Sequence, residues 1–151
     1  MQIRKVEPKD IDTVAHIWKH FVEKNLDKNK VRQNYFQNSD LWYVLDNNEN
    51  SFVPEIQAFV SASAAPGVGH ISGIAAVTEA KGFGSKILKH VEGEFVKRGC
   101  EKARLYVRKS NFKAQRFYDK NGYEIIDVVH NYYVDDLEDA YLLEKVLKRP
   151  K

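Results

Sequence analysis

The sequence of 151 residues has almost no cysteine, with Cys100 as its single thiol. One thiol closes no internal disulfide and supplies no cysteine-based structural zinc site, so we expect Cys100 to be a buried structural residue. Long hydrophobic runs are also missing, since no stretch approaches the ~20 apolar residues that cross a bilayer. The charged start, Met1 to Lys5, lacks the apolar segment of a secretory signal. These absences predict a cytoplasmic protein without a membrane partner.

The sequence also lacks a strong excess of either charge. Its 24 Lys and Arg against 21 Asp and Glu leave a net charge of +3, too small for the broad positive field that attracts nucleic acid. Hydrophobic residues make up 43% of the chain, which is enough for a packed core. Because no internal repeat or Pro/Ser-rich linker divides it, we expect residues 1–151 to form a single domain that binds no nucleic acid.

The spacing of apolar residues predicts strands and helices in a mixed order. Strands are predicted at 2–6, 42–45, 56–64, 70–77, 103–107, 123–129 and 141–147. Helices are predicted near 11–22 and 30–36, from Gly82 to a stop at Gly99, and from a cap at Ser110 or Asn111 to a stop at Asn121-Gly122. This order is typical of an α/β (α+β) domain with a mixed, mostly antiparallel sheet of about six to seven strands and about four flanking helices.

A glycine-rich turn joins a predicted strand to a predicted helix between Ile74 and Lys86. Free N–H groups and the helix dipole at such a helix start attract anions, and Gly82 and Gly84 leave room for phosphate beside the backbone. Lys81 and Lys86 add positive charge. The turn is not a Walker loop, since no Gly-Lys-Ser/Thr ends it, nor a full dinucleotide fingerprint, since the third glycine is absent. By itself it predicts either a phosphate site or a plain strand-to-helix turn.

The residues that follow this turn resemble a known family. The stretch Leu105–Asn111, Ala114 and the stretch Phe117–Tyr123 are similar to the second half of the GCN5-related N-acetyltransferase (GNAT) superfamily. This similarity extends roughly from Ile71 to Leu147. It implies a GNAT-like fold, acetyl-CoA as cosubstrate and an amine as acceptor.

The resemblance implies which residues hold acetyl-CoA. Main-chain atoms that bind the pantetheine and polarise the thioester carbonyl in the family match Ile74, Ala75 and Ala76. The pyrophosphate loop of the family matches Ala80, Lys81, Gly82, Phe83, Gly84 and Ser85. An asparagine that contacts the cofactor after the fifth strand matches Asn111. Glu79 departs from the family pattern, which has Gln or Arg at that position, and no metal is implied.

The resemblance also implies a catalytic acid, Tyr118, which protonates the departing thiolate of coenzyme A. A phenol with an ordinary pKa of ~10 is protonated at neutral pH, whereas a thiolate with a pKa of ~8.5 accepts the proton. For the general base we consider His70 with Tyr106 and a bridging water, because both match strands that part around the acetyl group. A purely structural His70 is an equal alternative, and His130 is a reserve base.

The acceptor side of the site is implied by the segment between the last two predicted strands. His130–Tyr133 and Glu138–Lys145 resemble the ribosomal-protein and protein N-terminal acetyltransferases, in which this hairpin closes over the peptide. Tyr132 and Tyr133 are therefore candidate substrate-binding residues, and paired sheet aromatics are the alternative. We interpret the acidic residues that follow as a solvated run, with attraction of a cationic amine as the alternative; they are Asp135, Asp136, Glu138 and Asp139.

The lack of a clear carboxylate base favours an acceptor amine that deprotonates easily. About a tenth of peptide α-amines are neutral at pH 7, against about one lysine in 2,500. We therefore expect acetyl transfer to the N-terminal α-amine of a protein or peptide in a ternary complex. A small-molecule (polyamine-like) amine acetyltransferase is one alternative, and a catalytically weak acyl-CoA-binding module, suggested by Glu79, is another. Nothing in the sequence indicates the oligomeric state.

Overall fold

Seven strands and four helices form in the part of the chain that the computed structural model describes, residues 1–47, 55–78 and 81–147. The strands are β1 (Gln2–Lys5), β2 (Tyr43–Asp46), β3 (Ile56–Ala65), β4 (Val68–Ala76), β5 (Lys102–Arg108), β6 (Glu124–Val129) and β7 (Ala140–Val146). The helices are α1 (Ile11–Phe21), α2 (Lys28–Gln37), α3 (Phe83–Lys97) and α4 (Phe112–Lys120), and a 3-10 turn at Pro8–Asp10 precedes α1. Within the described residues, no helix has both the length and the apolar character needed to cross a membrane.

The strands form one sheet in the order β1-β2-β3-β4-β5-β7-β6. The pairs β1–β2, β2–β3, β5–β7 and β6–β7 are antiparallel, whereas β4 and β5 are parallel. The parallel ladder joins Val68 to Lys102, Gly69 to Ala103 and His70 to Arg104. Parallel neighbours need a long connection, which α3 provides here. The predicted fold class, α/β with a mixed, mostly antiparallel sheet and four helices, is confirmed.

Contacts between residues divide the chain into two compact units. One unit consists of residues 1–63 and 71–94, and the other of residues 64–70 and 95–151. The strands β3 and β4 and the helix α3 contribute residues to both units.

The first unit has an aromatic core. The ring of Trp18 on α1 lies 6.1 Å from the ring of Trp42 and 5.4 Å from that of Phe59, centroid to centroid. Gly73 on β4 approaches Trp18 so closely that a Cβ there would lie 2.7 Å from the indole ring. Phe21, the last residue of α1, lies outside this core and is 46% exposed.

Arg4 on β1 bridges two acidic side chains of the first unit. Its Nη1 donates to Asp10 Oδ2 at 2.7 Å and its Nη2 to Asp46 Oδ2 at 3.0 Å. Asp10, whose side chain is fully buried, also accepts the backbone N–H of Glu7 at 2.7 Å. The hydrogen bond to Asp10, followed by that to Asp46, raises the pKa of Arg4. This network ties β1 to the 3-10 turn and to β2.

The second unit is built around β5, whose side chains alternate between two environments. Ala103, Leu105 and Val107 are buried, so Tyr106 and Arg108 lie together on the opposite face of the strand. The start of α4 is capped by a local hydrogen bond, in which Asn111 Oδ1 accepts the Ala114 N–H at 3.1 Å. Of the two predicted caps, Asn111 is the one the structure uses. Gly122, with φ of 93°, ends the same helix.

Candidate active site

The residues matched to pantetheine binding lie at the end of β4, in the first unit. Ile74, Ala75 and Ala76 are the last three residues of that strand, and all three are half-buried. Immediately after them, the Val77 N–H donates to the Gln57 carbonyl at 2.9 Å, which holds the strand end in place. Ala80, predicted to belong to the pyrophosphate loop, lies outside the described residues, as does Glu79.

The remaining predicted loop residues surround the start of α3; they are Lys81, Gly82, Phe83, Gly84 and Ser85. Gly82 has φ of 70°, a left-handed conformation that glycine adopts without a Cβ penalty. The Lys86 N–H donates to the Gly82 carbonyl at 3.1 Å and closes the first helical turn. The N–H groups of residues 83–85 precede that bond and therefore have no partner within the helix. This helix start presents several N–H donors and a positive dipole end, which suit an anion.

In the second unit the structure brings four predicted residues together in a line of rings, which we call the aromatic row: His70, Tyr106, Tyr132 and Tyr133. The rings of His70 on β4 and Tyr106 on β5 lie 5.9 Å apart, centroid to centroid. Tyr106 and Tyr132 stack at 4.5 Å with an interplanar angle of 18°, and Tyr132 meets Tyr133 edge to face at 5.0 Å. The row thus extends from two strands to the loop 130–139 between β6 and β7.

The aromatic row contains a neutral imidazole and a neutral phenol. Burial lowers the pKa of His70 below its ordinary value of 6.5, so the imidazole is uncharged at pH 7 and has a lone pair that accepts a proton. Burial, with a smaller effect of Tyr106, raises the pKa of Tyr132, which therefore remains a hydrogen-bond donor at neutral pH. A proton acceptor and a proton-bearing tyrosine consequently belong to one series of neighbouring rings.

Tyr118 lies on α4 and is 6% exposed. Its ring contacts those of Phe117 at 5.1 Å and Tyr123 at 5.5 Å. Burial, followed by the nearby Tyr133, raises its pKa above the ordinary phenol value, so the hydroxyl keeps its proton. That hydroxyl makes no hydrogen bond to a described residue. The proton is therefore available to a bound group.

Asn111 and His130 have local partners that limit what they offer a ligand. Because Asn111 Oδ1 caps α4, the amide nitrogen of Asn111 is the group left for a cofactor contact. His130, the reserve base, pairs with Asp139 at 3.1 Å, and its side chain is 79% exposed. His130 does not belong to the aromatic row.

One residue of this region was missed from the sequence: Arg108. Its guanidinium makes ion pairs with Asp135, Asp136 and Glu138 and lies 3.9 Å from the ring centroid of Tyr133. The interpretation of the acidic run as merely solvated is therefore wrong. The alternation of β5, which puts Arg108 on the same face as Tyr106, is the sequence signal that points to it.

Other features of the second unit have no link to the predicted site residues. A groove of about 530 Å³ lies beside α4, β6 and β7, and its lining, which includes Phe112, Arg116 and Ile125, contains none of them. Cys100 is 1% exposed, in agreement with the structural role predicted for it. In the described ranges, no three or more His, Cys, Asp or Glu side chains form a group that would hold a metal ion.

Comparison with known proteins identifies the family of this chain. The family model for the acetyltransferase (GNAT) family matches residues 11–123. The chain belongs to the GNAT family of acetyltransferases. The matched segment contains His70, Tyr106, Tyr118 and the glycine turn, and it reaches back to the start of α1. The resemblance seen in the second half of the sequence is therefore confirmed and extends into the first half.

Several known acetyltransferases are similar to this GNAT protein. The uncharacterized N-acetyltransferase MJ1530 of Methanocaldococcus jannaschii is 29% identical over 153 residues, which cover 99% of this chain and 93% of that protein. N-alpha-acetyltransferase 50 of Danio rerio is 41% identical over 71 residues, or 46% of this chain and 42% of that protein. The crystal structure of the ribosomal-protein-S18-alanine N-acetyltransferase from Escherichia coli has a TM-score of 0.80 at 22% identity, covering 99% of this chain and 96% of that chain. That structural likeness shows a common fold.

Proposed function

We propose that this GNAT enzyme transfers the acetyl group of acetyl-CoA to the N-terminal α-amine of a protein or peptide. The observation that carries the proposal is the aromatic row, which combines a neutral imidazole on β4 with two tyrosines on the loop 130–139. The names of two relatives, an N-alpha-acetyltransferase and a ribosomal-protein-alanine N-acetyltransferase, support the same class of acceptor.

The residues present fit acetyl-CoA. The N–H groups at the start of α3 would hold the pyrophosphate, and main-chain atoms of residues 74–76 would run along the pantetheine. The amide nitrogen of Asn111 would add a contact, and the Tyr118 hydroxyl, which has no acceptor among the described residues, is suited to a sulfur atom. When bound, acetyl-CoA supplies an activated acetyl thioester whose thiol is the leaving group.

On the amine side, His70 takes up the proton that the acceptor nitrogen loses as it forms the new C–N bond. The rings of His70 and Tyr106 are neighbours at 5.9 Å, and we propose that a water bound by both relays this proton. Tyr132 and Tyr133 offer their hydroxyls to the peptide backbone and hold the amine in line with the thioester.

On the leaving-group side, Tyr118 gives its phenolic proton to sulfur as the C–S bond breaks. Burial penalises the phenolate and the thiolate alike, so it raises the pKa of both groups. The difference between the two pKa values, which governs the proton transfer, therefore changes little inside the site. The proton held by His70 returns to Tyr118 through solvent, which leaves an amide and a free thiol as products. No acyl-enzyme is needed, and Cys100, whose pKa is raised by burial, takes no part.

Incubation with acetyl-CoA and a pool of short peptides tests the acceptor. The pool presents different free N-termini and includes N-terminally blocked, lysine-containing peptides as matched controls. We expect mass spectrometry to find acetyl groups on free α-amines alone, because an α-amine is far more often neutral at pH 7 than a lysine side chain. Acetylation of the blocked peptides, or of a polyamine in preference to every peptide, would contradict the proposed acceptor.

The pH dependence of the rate tests His70 as the base. With kcat/KM referred to the neutral form of the peptide, we expect the rate to fall as the pH drops below 6.5, because the lowered pKa of His70 places its protonation in that range. His70→Gln is expected to remove this acidic limb and to reduce kcat/KM at pH 7.5 by about 100-fold. The matched control, His130→Gln, is expected to keep the limb. An unchanged profile in the His70 variant would exclude it as the base.

We also propose that residues 1–151 act as one N-acetyltransferase domain and that the reaction takes place in the cytoplasm. The family match to residues 11–123, which spans both compact units, supports the first statement. The ribosomal-protein acceptor in the name of the Escherichia coli relative supports the second.

A further inference from the structure

Arg108 is bound on one side by three carboxylates of the loop 130–139. Its Nη1 donates to Asp136 Oδ2 at 2.8 Å and to Glu138 Oε1 at 3.1 Å, and its Nη2 donates to Asp135 Oδ1 at 3.3 Å. The Arg108 side chain is only 15% exposed, whereas that of Asp136 is 48% exposed, so the guanidinium is shielded from water more than this partner. Hydrogen bonds between a guanidinium and carboxylates are charge-assisted and directional.

On its other side the Arg108 guanidinium faces Tyr133, at 3.9 Å from the ring centroid. Tyr106, two residues earlier on the same face of β5, stacks on Tyr132 at 4.5 Å. Neighbouring side chains of one strand therefore hold the two loop tyrosines, one by a cation–π contact and the other by ring stacking.

Backbone hydrogen bonds within the loop 130–139 also stabilise it in a conformation that includes a strained residue. The Tyr133 N–H donates to the Glu138 carbonyl at 3.2 Å, and the Leu137 N–H to the Tyr133 carbonyl at 2.8 Å. Leu137 has φ of 58°, a left-handed conformation that costs a non-glycine residue free energy. Glu138 is fixed further by the Ser110 N–H, which donates to its Oε2 at 2.8 Å. Hydrogen bonds from Ser110, followed by Arg108, lower the pKa of Glu138 and keep it ionised.

We propose that Arg108 is a positioning residue for the acceptor peptide. It holds the loop 130–139 in the one arrangement that presents Tyr132 and Tyr133 to the peptide. The three carboxylates of the loop act as counter-ions of Arg108 and do not attract a cationic amine; they are Asp135, Asp136 and Glu138. This inference rests on the proposed function, since it assigns a purpose to the loop tyrosines of that same site.

Steady-state kinetics of Arg108→Gln test this inference. We expect the KM for the peptide to rise about tenfold or more, while the KM for acetyl-CoA and kcat at saturating peptide change by less than about twofold. Arg108→Lys, which keeps the charge but loses the planar fork, is expected to give an intermediate KM. Arg116→Gln, a change to an exposed arginine of α4, is the matched control and leaves all three constants unchanged.

A competing role for the acidic residues, recruitment of the acceptor amine, predicts a change of the peptide KM in the opposite direction. If the three carboxylates recruit the ammonium form of the acceptor, loss of Arg108 leaves them without their counter-ion, and the KM for the peptide falls. A KM that falls, or that stays within about twofold of the parent value, overturns the inference. Should Arg108→Gln fail to fold, Arg108→Lys replaces it: the counter-charge is kept but the planar fork is lost, so our assignment predicts a raised KM for the peptide, and an unchanged KM contradicts it.

Hydrogen exchange gives a readout that does not depend on turnover. We expect faster exchange of the Tyr133 and Leu137 amides in Arg108→Gln than in the parent, with α4 amides unchanged, because the loop loses its central contact. Unchanged protection of the loop overturns the inference. If the loop amides exchange faster in Arg108→Gln but the parent acetylates no peptide, the proposed acceptor is wrong. The role of Arg108 in holding the loop is then still supported.

Discussion

Replacing Tyr118 by Phe is expected to lower kcat by about 100-fold or more, with little change in the KM for either substrate. The substitution removes one oxygen from a side chain that is 6% exposed and whose hydroxyl has no acceptor among the described residues. Packing and cofactor binding are thus preserved, while the departing thiolate loses its proton donor. Steady-state kinetics, together with calorimetric measurement of coenzyme A binding, check both parts.

A matched control for this variant is Tyr123→Phe, which removes a phenol hydroxyl from the ring that packs on Tyr118 at 5.5 Å. Its kcat should stay within about twofold of the parent value, since no step of the reaction uses it. If Tyr118→Phe acetylates as fast as the parent, another group protonates the thiolate. If the parent binds coenzyme A but neither it nor any variant turns over, the chain is an acyl-CoA-binding module.

Replacing Arg4 by Met is expected to reduce the free energy of unfolding by ~3–5 kcal/mol, because it leaves two carboxylates without their counter-charge in the folded state. The side chains of Asp10 and Asp46 are 0% and 6% exposed, so water does not replace the guanidinium. Urea denaturation followed by tryptophan fluorescence measures this loss, since Trp18 and Trp42 both belong to the core of the first unit.

The matched control is Arg32→Met, which breaks an ion pair with Asp12 whose side chains are 52% and 84% exposed. Such surface pairs contribute about 0–1 kcal/mol, so little change in stability is expected. The triple variant Arg4→Met/Asp10→Asn/Asp46→Asn should regain part of the loss, because it removes the uncompensated charges. Equal stabilities of Arg4→Met and Arg32→Met would show that the buried network contributes nothing.

The sequence by itself determined the order and type of the elements, because strand and helix patterns are local. Apolar residues at helical spacing share one face of α3, and its four members Ile87, Leu88, Val91 and Phe95 are all fully buried. Glycines at helix ends were equally informative: Gly99 and Gly122 adopt positive φ at the predicted stops. The motif after β5 indicated the family, which the comparison confirms. The bounds of the elements differ from the prediction by a residue or two, since the end of a helix or strand depends on local capping.

Tertiary structure alone decided which side chains meet. A periodic pattern shows that Arg108 lies on the face of Tyr106, but not that Asp136, 28 residues later, folds back onto its guanidinium. The same holds for Arg4 and Asp46, which are 42 residues apart. The reading of the acidic run as solvated was wrong for this reason: charge patterns along the chain do not show which counter-ion the fold places opposite them. The prediction that Tyr118 is the acid came from the motif, whereas the burial and the nearby Tyr133 that keep its proton in place are seen only in the folded structure.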